Sequence, residues 1–386
     1  MPSPFALERL TPLLFGDGRA LDLPAACRAR FPGAGRLLVV CDRALAATAP
    51  VAAVLAGLRD ERFETALFAE VAGDPTRASV DAAAALGRAC DAELVVGIGG
   101  GSALDTAKLA AATLADSASC EAYGLCAAPL PPRTRPVLAL PSTAGTGAEV
   151  TRTAVFTRSD GRKVWAWGEA LRPALAILDP ALVATLPRQL VAWTGLDALV
   201  HAIEAATARR ADPVAQAWAL HAIRLVAQHL EAAVQGADPE ARGGMLVAAS
   251  FAGYAIDRAG TGVAHALGHA LATLGHLHHG RAVALALDAC LAVHARTAPQ
   301  AHAAVAAALG TSPDALAGRY AALLDAVGVG RDLGDAGLGP QCDGDLAALA
   351  RAPENRPMLE NAPHDWTASE LEHAARAILG SEWAAV

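Results

Sequence analysis

AELVVGIGGGSALDTAK, residues 92–108, joins a short apolar run to a helical pattern through three consecutive glycines, Gly99, Gly100 and Gly101. The apolar run predicts a buried strand of a parallel sheet, and the alanine-rich pattern after it predicts a helix. Glycines let the backbone approach a pyrophosphate, and a helix N-terminus offers N–H groups at its positive dipole end. The stretch therefore predicts a phosphate-binding turn, with Ser102 as a candidate helix N-cap. An ordinary tight turn between strand and helix is the alternative.

Strand-like and helical patterns alternate on both sides of this stretch. RLLVVCD (36–42), ETALFAEV (64–71) and RPVLALP (135–141) are strand-like, and helical patterns lie between them. Such alternation predicts an α/β domain with a doubly wound parallel sheet. Beyond residue 188 the chain reads as successive helices. We therefore predict a dinucleotide-binding domain over residues 1–184 and an all-helical domain over 185–386.

The coenzyme preference is indicated by Asp42, which ends the strand-like run 36–42. The glycines do not form the usual GxGxxG pattern, and the candidate ribose-binding acid ends an earlier strand instead of lying about 20 residues beyond them. A carboxylate at Asp42 could accept hydrogen bonds from ribose hydroxyls and would repel a 2′-phosphate, which favours NAD over NADP. A second polar loop, LPSTAGTGAEVT (140–151), offers Thr143 and Thr146 after another strand. Two such loops at the carboxyl ends of strands strengthen the prediction of a dinucleotide site.

Histidines mark the C-terminal half, since all twelve lie at or after His201. Asp197 and His201 are spaced i, i+4, and so are His265 and His269, so each pair shares one face of a helix. A cluster follows at His276, His278 and His279. One carboxylate with several imidazoles predicts a site for a single divalent ion acting as a Lewis acid, with Zn, Fe(II), Ni or Co as candidates. Spacing alone leaves open which histidine of the cluster is a ligand.

Composition argues against several classes of partner. The 386 residues carry a formal net charge of −8, so no basic stripe is available for nucleic acid. No apolar run reaches the roughly 20 residues needed to span a membrane, and the first residues lack a signal-peptide pattern. Seven scattered cysteines without a CxxC indicate free thiols. We expect a cytoplasmic protein that binds neither nucleic acid nor membranes.

Five motifs in order resemble the iron-containing (group III) alcohol dehydrogenase family over nearly the full length. They are GGGSALDTAK (99–108), PSTAGTGAEVT (141–151), ILDP (177–180), GLDALVHAIEA (195–205) and HALGHALATLGHLHHG (265–280). The resemblance implies a dehydroquinate synthase-like architecture and hydride transfer between NAD(H) and a small alcohol, aldehyde or ketone. It also implies a homodimer or larger homo-oligomer.

The resemblance also assigns roles in the helical half. It implies that the metal is held by Asp197, His201, His265 and His279. Fe(II) is the first candidate for this metal, and Zn, Ni and Co are the alternatives. His269 matches a histidine near the nicotinamide and the substrate, and it is a candidate proton relay.

Cofactor-contacting positions of the family match Asp42, the segment 100–104, Thr143, Thr146 and Lys163. Asp105 belongs to the same glycine motif. Asp74 stands close to the cofactor, where the family usually has asparagine.

Arg258 also stands where the family typically has asparagine. We hypothesise that it pairs with an anionic substrate group such as a carboxylate, phosphonate or sulfonate; a surface arginine is the alternative.

Two related activities remain as alternatives. A maleylacetate reductase-like enzyme would lack the metal aspartate, so Asp197 argues against it. A polyol-phosphate dehydrogenase or cyclase of the same architecture would need several basic residues near the metal, and the helical half shows no such cluster.

Overall fold

The computed structural model describes residues 5–7, 9–115, 118–132, 134–236 and 238–380. Backbone contacts divide the chain into two compact units. The α/β unit comprises residues 9–143 and 147–186, and the helical unit comprises 1–8, 144–146 and 187–386, as far as they are described. The domain boundary predicted after residue 184 stays a prediction. Residues 144–146 lie before that boundary in the sequence but group with the helical unit.

The α/β unit contains eight strands within the described residues. They are β1 (Leu13–Phe15), β2 (Arg36–Asp42), β3 (Glu64–Val71), β4 (Leu94–Gly99), β5 (Val137–Pro141), β6 (Thr153–Thr157), β7 (Lys163–Trp167) and β8 (Leu175–Leu178). Six of them form one sheet in the order β1-β8-β5-β4-β2-β3, and every neighbouring pair is parallel. The predicted parallel sheet is therefore confirmed.

Helices cover both faces of this sheet. They are α1 (Leu23–Arg30), α2 (Ala49–Asp60), α3 (Arg77–Ala89) and α4 (Gly101–Thr113). Because side chains alternate along a strand, Leu37 and Val39 of β2 join a core cluster with residues of α1 and α2. Leu38 and Val40 join a second cluster with alanines of α3 and α4. A strand that is apolar on both faces is what a doubly wound sheet requires.

The order of the strands locates a crevice. β2 lies between β3 and β4, so the chain leaves β2 in one direction and returns to its other side. Ligands of open α/β sheets bind outside the carboxyl ends of strands at such a reversal. Asp42 ends β2 and Gly99 ends β4, so both lie at this point.

The antiparallel hairpin of β6 and β7 was not predicted. The two strands pair from Thr153 opposite Trp167 to Thr157 opposite Lys163. Every second residue is buried along both strands, which is the alternation expected of a half-buried hairpin. The signal was present in the sequence, but each strand is only five residues long.

The helical unit contains ten α-helices and no strand within its described residues, as predicted. They are α5 (Arg188–Thr207), α6 (Pro213–Gln235), α7 (Pro239–Ala259), α8 (Val263–Gly275), α9 (His279–Thr297), α10 (Pro299–Ala308), α11 (Leu316–Ala326), α12 (Asp343–Ala350), α13 (Arg356–Asn361) and α14 (Ala368–Ile378). α5 is buried on all sides over residues 194–207. Among the described residues, no helix combines the length and apolarity needed to cross a membrane.

Candidate metal and coenzyme sites

Four side chains of the helical unit converge on one point. α5 supplies Asp197 and His201, α8 supplies His265, and His279 is the first residue of α9. One potential ligand atom from each lies within 4.8 Å of all the others. Three of the residues are buried, and the side chain of His279 is 22% exposed. The structure therefore brings together the four residues that the family resemblance selected.

The atoms at this point fit a divalent cation. Asp197 Oδ1 lies 3.7 Å from His201 Nδ1, 3.9 Å from His265 Nε2 and 3.6 Å from His279 Nε2. Four ligand atoms at about 2.1 Å from one tetrahedral ion would be about 3.4 Å apart, which is close to these distances. Asp197 Oδ1, His201 Nδ1 and His265 Nε2 are buried without a hydrogen-bond partner among the described residues. Such atoms are costly to bury, and one shared cation would satisfy all three.

A second carboxylate, that of Glu204, lies behind His265. Its Oε2 is 2.6 Å from His265 Nδ1, and both residues are buried. Burial disfavours the charged form of each, but the opposite charge and the hydrogen bonds prevail. The pKa of Glu204 is therefore lowered and that of His265 is raised. Sequence reasoning missed Glu204, although it lies three residues after His201 and seven after Asp197, on the same face of α5.

His201 lies beside the loop that contains Gly145. The Gly145 backbone is near its imidazole. Burial lowers the pKa of His201, and the nearby Asp197 carboxylate offsets only part of this effect. A Cβ at Gly145 would come 2.8 Å from the carbonyl oxygen of Thr194 on α5. Only glycine therefore lets the loop approach α5 this closely.

The other candidate histidines have different surroundings. His269 is half-buried, and its ring centroid lies 5.2 Å from that of His279 and 6.0 Å from that of His265. His278 caps α9 by accepting a hydrogen bond from Gly280 N, and its ring lies 5.0 Å from that of Trp193. His276 ends α8 in the left-handed conformation, with φ of 51°. Only His279 of the C-terminal cluster belongs to the group of four.

The glycine turn lies at the crevice of the parallel sheet. Gly99 has φ of 152°, and a Cβ there would come 2.6 Å from Ala103 Cβ and 3.2 Å from Asp42 Cβ. α4 begins at Gly101, with Gly100 as its N-cap and no side chain capping it. The prediction of Ser102 as N-cap is therefore wrong, because the extended backbone of Gly100 already starts the helix two residues earlier. The uncapped helix end is suited to an anionic group.

Two further predicted coenzyme residues border this turn. The Asp42 carboxylate accepts a hydrogen bond of 2.8 Å from the backbone N–H of Ala44 through Oδ1. A Cβ at Gly100 would come 3.2 Å from the methyl group of Thr143. Asp42, the glycines and Thr143 are thus gathered at one edge of the sheet, whereas Thr146 groups with the helical unit.

Asp105 lies in a buried ion pair beneath the turn. Its Oδ1 is 3.0 Å from Nζ of the fully buried Lys108, and its Oδ2 accepts a hydrogen bond from Val155 N. Lys108 also donates to the carbonyl of Ala148 at 3.0 Å. Burial raises the pKa of Asp105, and the charge of Lys108 offsets part of this effect. These bonds brace α4 against β6, and a coenzyme contact of Asp105 stays a prediction.

Lys163 and Asp74, both predicted near the coenzyme, pair with each other. Lys163 Nζ lies 3.0 Å from Asp74 Oδ2, and 57% of the Asp74 side chain is exposed against 13% for Lys163. The charge of Lys163 also acts on Asp105, at the start of α4. The pair therefore lies within electrostatic range of the glycine turn.

Arg258 has an acidic partner within the protein. Its Nε donates a 2.6 Å hydrogen bond to Asp212, the residue that caps α6, and this bond lowers the pKa of Asp212. Its guanidinium carbon lies 5.8 Å from the ring centre of Phe5. The charge of Arg258 is thus already matched, and its role toward an anionic substrate stays a prediction.

Known families and proteins resemble both halves of this chain. A family model described as iron-containing alcohol dehydrogenase matches residues 11–180, and one described as the C-terminal part of that family matches 191–378. A probable alcohol dehydrogenase, EutG of Escherichia coli, is 34% identical over 316 residues, covering 80% of each chain. An NAD-dependent methanol dehydrogenase of Bacillus methanolicus is 35% identical over 266 residues, covering 68% of this chain and 69% of that protein.

A solved structure shares the fold over almost its whole length. The sulfoacetaldehyde reductase of Bifidobacterium kashiwanohense, crystallised in complex with NAD+, superimposes with a TM-score of 0.88 at 29% identity. The match covers 98% of this chain and all of that protein.

Proposed function

The chain belongs to the iron-containing alcohol dehydrogenase family and is an NAD-dependent alcohol dehydrogenase, and we propose that Asp197, His201, His265 and His279 hold its catalytic metal. The observation that carries this proposal is the convergence of four ligand atoms within 4.8 Å. Three of these atoms are buried and have no other partner among the described residues. Fe(II) is the first candidate ion, and Zn, Ni and Co suit the same donors.

When bound, a divalent ion supplies Lewis acidity toward an alcohol or carbonyl oxygen, and the nicotinamide coenzyme supplies hydride transfer. Glu204 fixes the far side of the His265 ring, so that Nε2 of this residue faces Asp197. His269 stands beside the ligands and is half-buried. We propose that its imidazole passes the hydroxyl proton of the alcohol toward solvent, since an imidazole is able both to accept and to donate a proton.

For the coenzyme, we propose that the turn at 99–101 and Ser102 in the first turn of α4 bind the pyrophosphate of NAD. This is supported by the uncapped start of α4 and by the close approach that Gly99 permits. Asp42 is proposed to accept hydrogen bonds from the ribose hydroxyls. Thr143, Thr146 and Lys163 are proposed as further contacts.

The substrate is proposed to be a small alcohol and its aldehyde or ketone. The cytoplasm is the proposed location, supported by seven cysteines that are all free of disulfide bonds. Assembly as a homodimer or larger oligomer is proposed from the family resemblance alone.

Metal analysis with matched variants tests the proposed site. Asp197→Ala and His265→Ala are expected to lose both the bound divalent ion and NADH-dependent reduction of short aldehydes. His276→Ala is the control, because this histidine lies outside the group of four. The assay compares metal content after dialysis with NADH oxidation at 340 nm for protein reconstituted with Fe(II), Zn, Ni or Co. Full turnover by a variant shown to contain no metal would refute the proposal.

A further inference from the structure

The carboxylate of Glu204 contacts two backbone N–H groups in addition to the imidazole of His265. Its Oε2 accepts a 2.8 Å hydrogen bond from Gly262 N and lies 2.6 Å from His265 Nδ1. Its Oε1 accepts a 2.7 Å hydrogen bond from Ala264 N. Only 3% of its side chain is exposed. One side chain of α5 thus binds three donors at the start of α8.

These bonds replace the missing cap of α8. Gly262 is the N-cap of that helix and has no side chain to satisfy the first N–H groups. Glu204 satisfies two donors there from a neighbouring helix, and a carboxylate also suits the positive end of the helix dipole. A Cβ at Gly262 would come 3.0 Å from Glu204 Oε1, so the close approach depends on glycine. The rotation of α8, and with it the direction of His265, is therefore tied to α5.

The same contact fixes the tautomer of His265. An ionised carboxylate only accepts hydrogen bonds, so Nδ1 must carry the hydrogen that points to Glu204. The lone pair of the neutral ring is then on Nε2, the atom that faces Asp197 at 3.9 Å. Glu204 also adds a second negative charge to that of Asp197, so the two carboxylates together match a divalent ion.

We propose that Glu204 is a positioning residue of the metal centre, which holds His265 in its ligating tautomer and sets the register of α8 against α5. The inference rests on the proposed metal site. Carboxylate partners of ligating histidines typically change metal affinity by about 10- to 100-fold when they are replaced. We expect an effect of that size here.

Glu204→Gln is the central variant. Its amide keeps the size of the side chain, but the NH2 group cannot accept: in the place of Oε1 it loses Ala264 N, and in the place of Oε2 it loses both Gly262 N and His265. If that NH2 group meets His265, the ring must present a lone pair at Nδ1 and hydrogen at Nε2, which removes the ligand. Co2+ binding is measured on chelator-stripped protein by competition with a chromogenic chelator and by the visible absorption of bound Co2+. We expect affinity to fall 10- to 100-fold and the Co2+ spectrum to change.

Asp179→Asn is the matched control. Asp179 is also buried and accepts three backbone hydrogen bonds, from Gly18, Ala20 and Ala181, but it contacts no histidine. This variant is expected to lose thermal stability and to keep the Co2+ affinity and spectrum of the wild type. Equal losses of affinity in the two variants would reduce Glu204 to a general packing role and overturn the proposal.

Three further outcomes are decisive. A folded Glu204→Gln protein that binds Co2+ within threefold of the wild type, with the same spectrum, overturns the inference and leaves the metal site intact. If Glu204→Gln does not fold, Glu204→Asp decides, because it keeps the charge but cannot reach all three donors. A tenfold weaker Co2+ affinity supports the proposal, and wild-type affinity overturns it. A wild-type protein that binds no divalent ion would instead refute the proposed function itself.

Discussion

A buried histidine away from the metal site should make the helical unit sensitive to mild acid. His294 lies on α9 and is 2% exposed, and its Nε2 accepts a 3.0 Å hydrogen bond from Trp366 Nε1. Burial, and then the neighbouring His302 of α10, lower the pKa of His294 to about 4. Glu204 of α5 raises that pKa and His364 lowers it, but burial prevails. The native state therefore holds His294 neutral where the unfolded chain would protonate it.

The sign follows from proton uptake. The unfolded imidazole titrates near pH 6.5, so below that pH the unfolded state binds a proton that the native state does not. Stability is lost as the pH falls from about 6.5 toward 4, and it is fully present above this window. With pKa values of about 4 and 6.5, the loss from this one group between pH 7 and pH 5 is about 2 kcal/mol.

His294→Gln tests this value. Glutamine does not titrate, and its side-chain oxygen is able to accept from Trp366. Urea unfolding of metal-free protein at pH 7 and pH 5, followed by circular dichroism, gives the change in unfolding free energy for each protein. The other histidines contribute equally to both proteins, so the difference between the two changes isolates His294. We expect the wild type to lose about 2 kcal/mol more than the variant; losses that agree within about 0.5 kcal/mol would refute the reasoning.

Three more outcomes concern the coenzyme and the substrate. Asp42→Ala should lower the preference for NADH over NADPH at least about tenfold in kcat/KM, because the repulsion of a 2′-phosphate is removed; an unchanged ratio would contradict this. Asp74→Asn should tighten NADH binding about threefold to tenfold in a fluorescence titration, because an anion beside Lys163 is lost. The same gain at high salt would exclude this electrostatic cause. Arg258→Ala should lower the unfolding free energy by about 1–3 kcal/mol, since Asp212 loses its charged partner. The predicted role toward an anionic substrate group would raise KM for an anionic aldehyde and spare a neutral one; equal changes in the two KM values would refute that role.

Local patterns predicted the architecture well. The strands at Arg36–Asp42 and Glu64–Val71 have the bounds that the sequence indicated. The first is buried on both faces over residues 37–41 and is apolar there, whereas the second lies at the edge of the sheet and is only partly buried. The three-residue strand β1 and the hairpin at Thr153–Thr157 and Lys163–Trp167 were missed, since short strands carry little periodic signal.

The metal site was only partly predictable from spacing. Helical periodicity paired Asp197 with His201, and the choice of His279 required the family resemblance. Contacts between residues far apart in sequence could not be inferred. Glu204 meets His265 across 61 positions, and Arg258 meets Asp212 across 46. A single sequence gives the periodicity of each helix, but it does not give the rotation of one helix against another.

The close approach of the Gly145 loop to α5 limits how this chain can be cut and recombined. Residues 144–146 group with the helical unit although they lie far upstream of it in the sequence. A fragment that begins near Pro187 would lack the loop that packs against α5 beside one proposed metal ligand. A chimera joined at that point would combine its own ligand histidine with the loop of another protein. Exchange of the two halves between relatives should therefore succeed only when the segment around Gly145 travels with the helices.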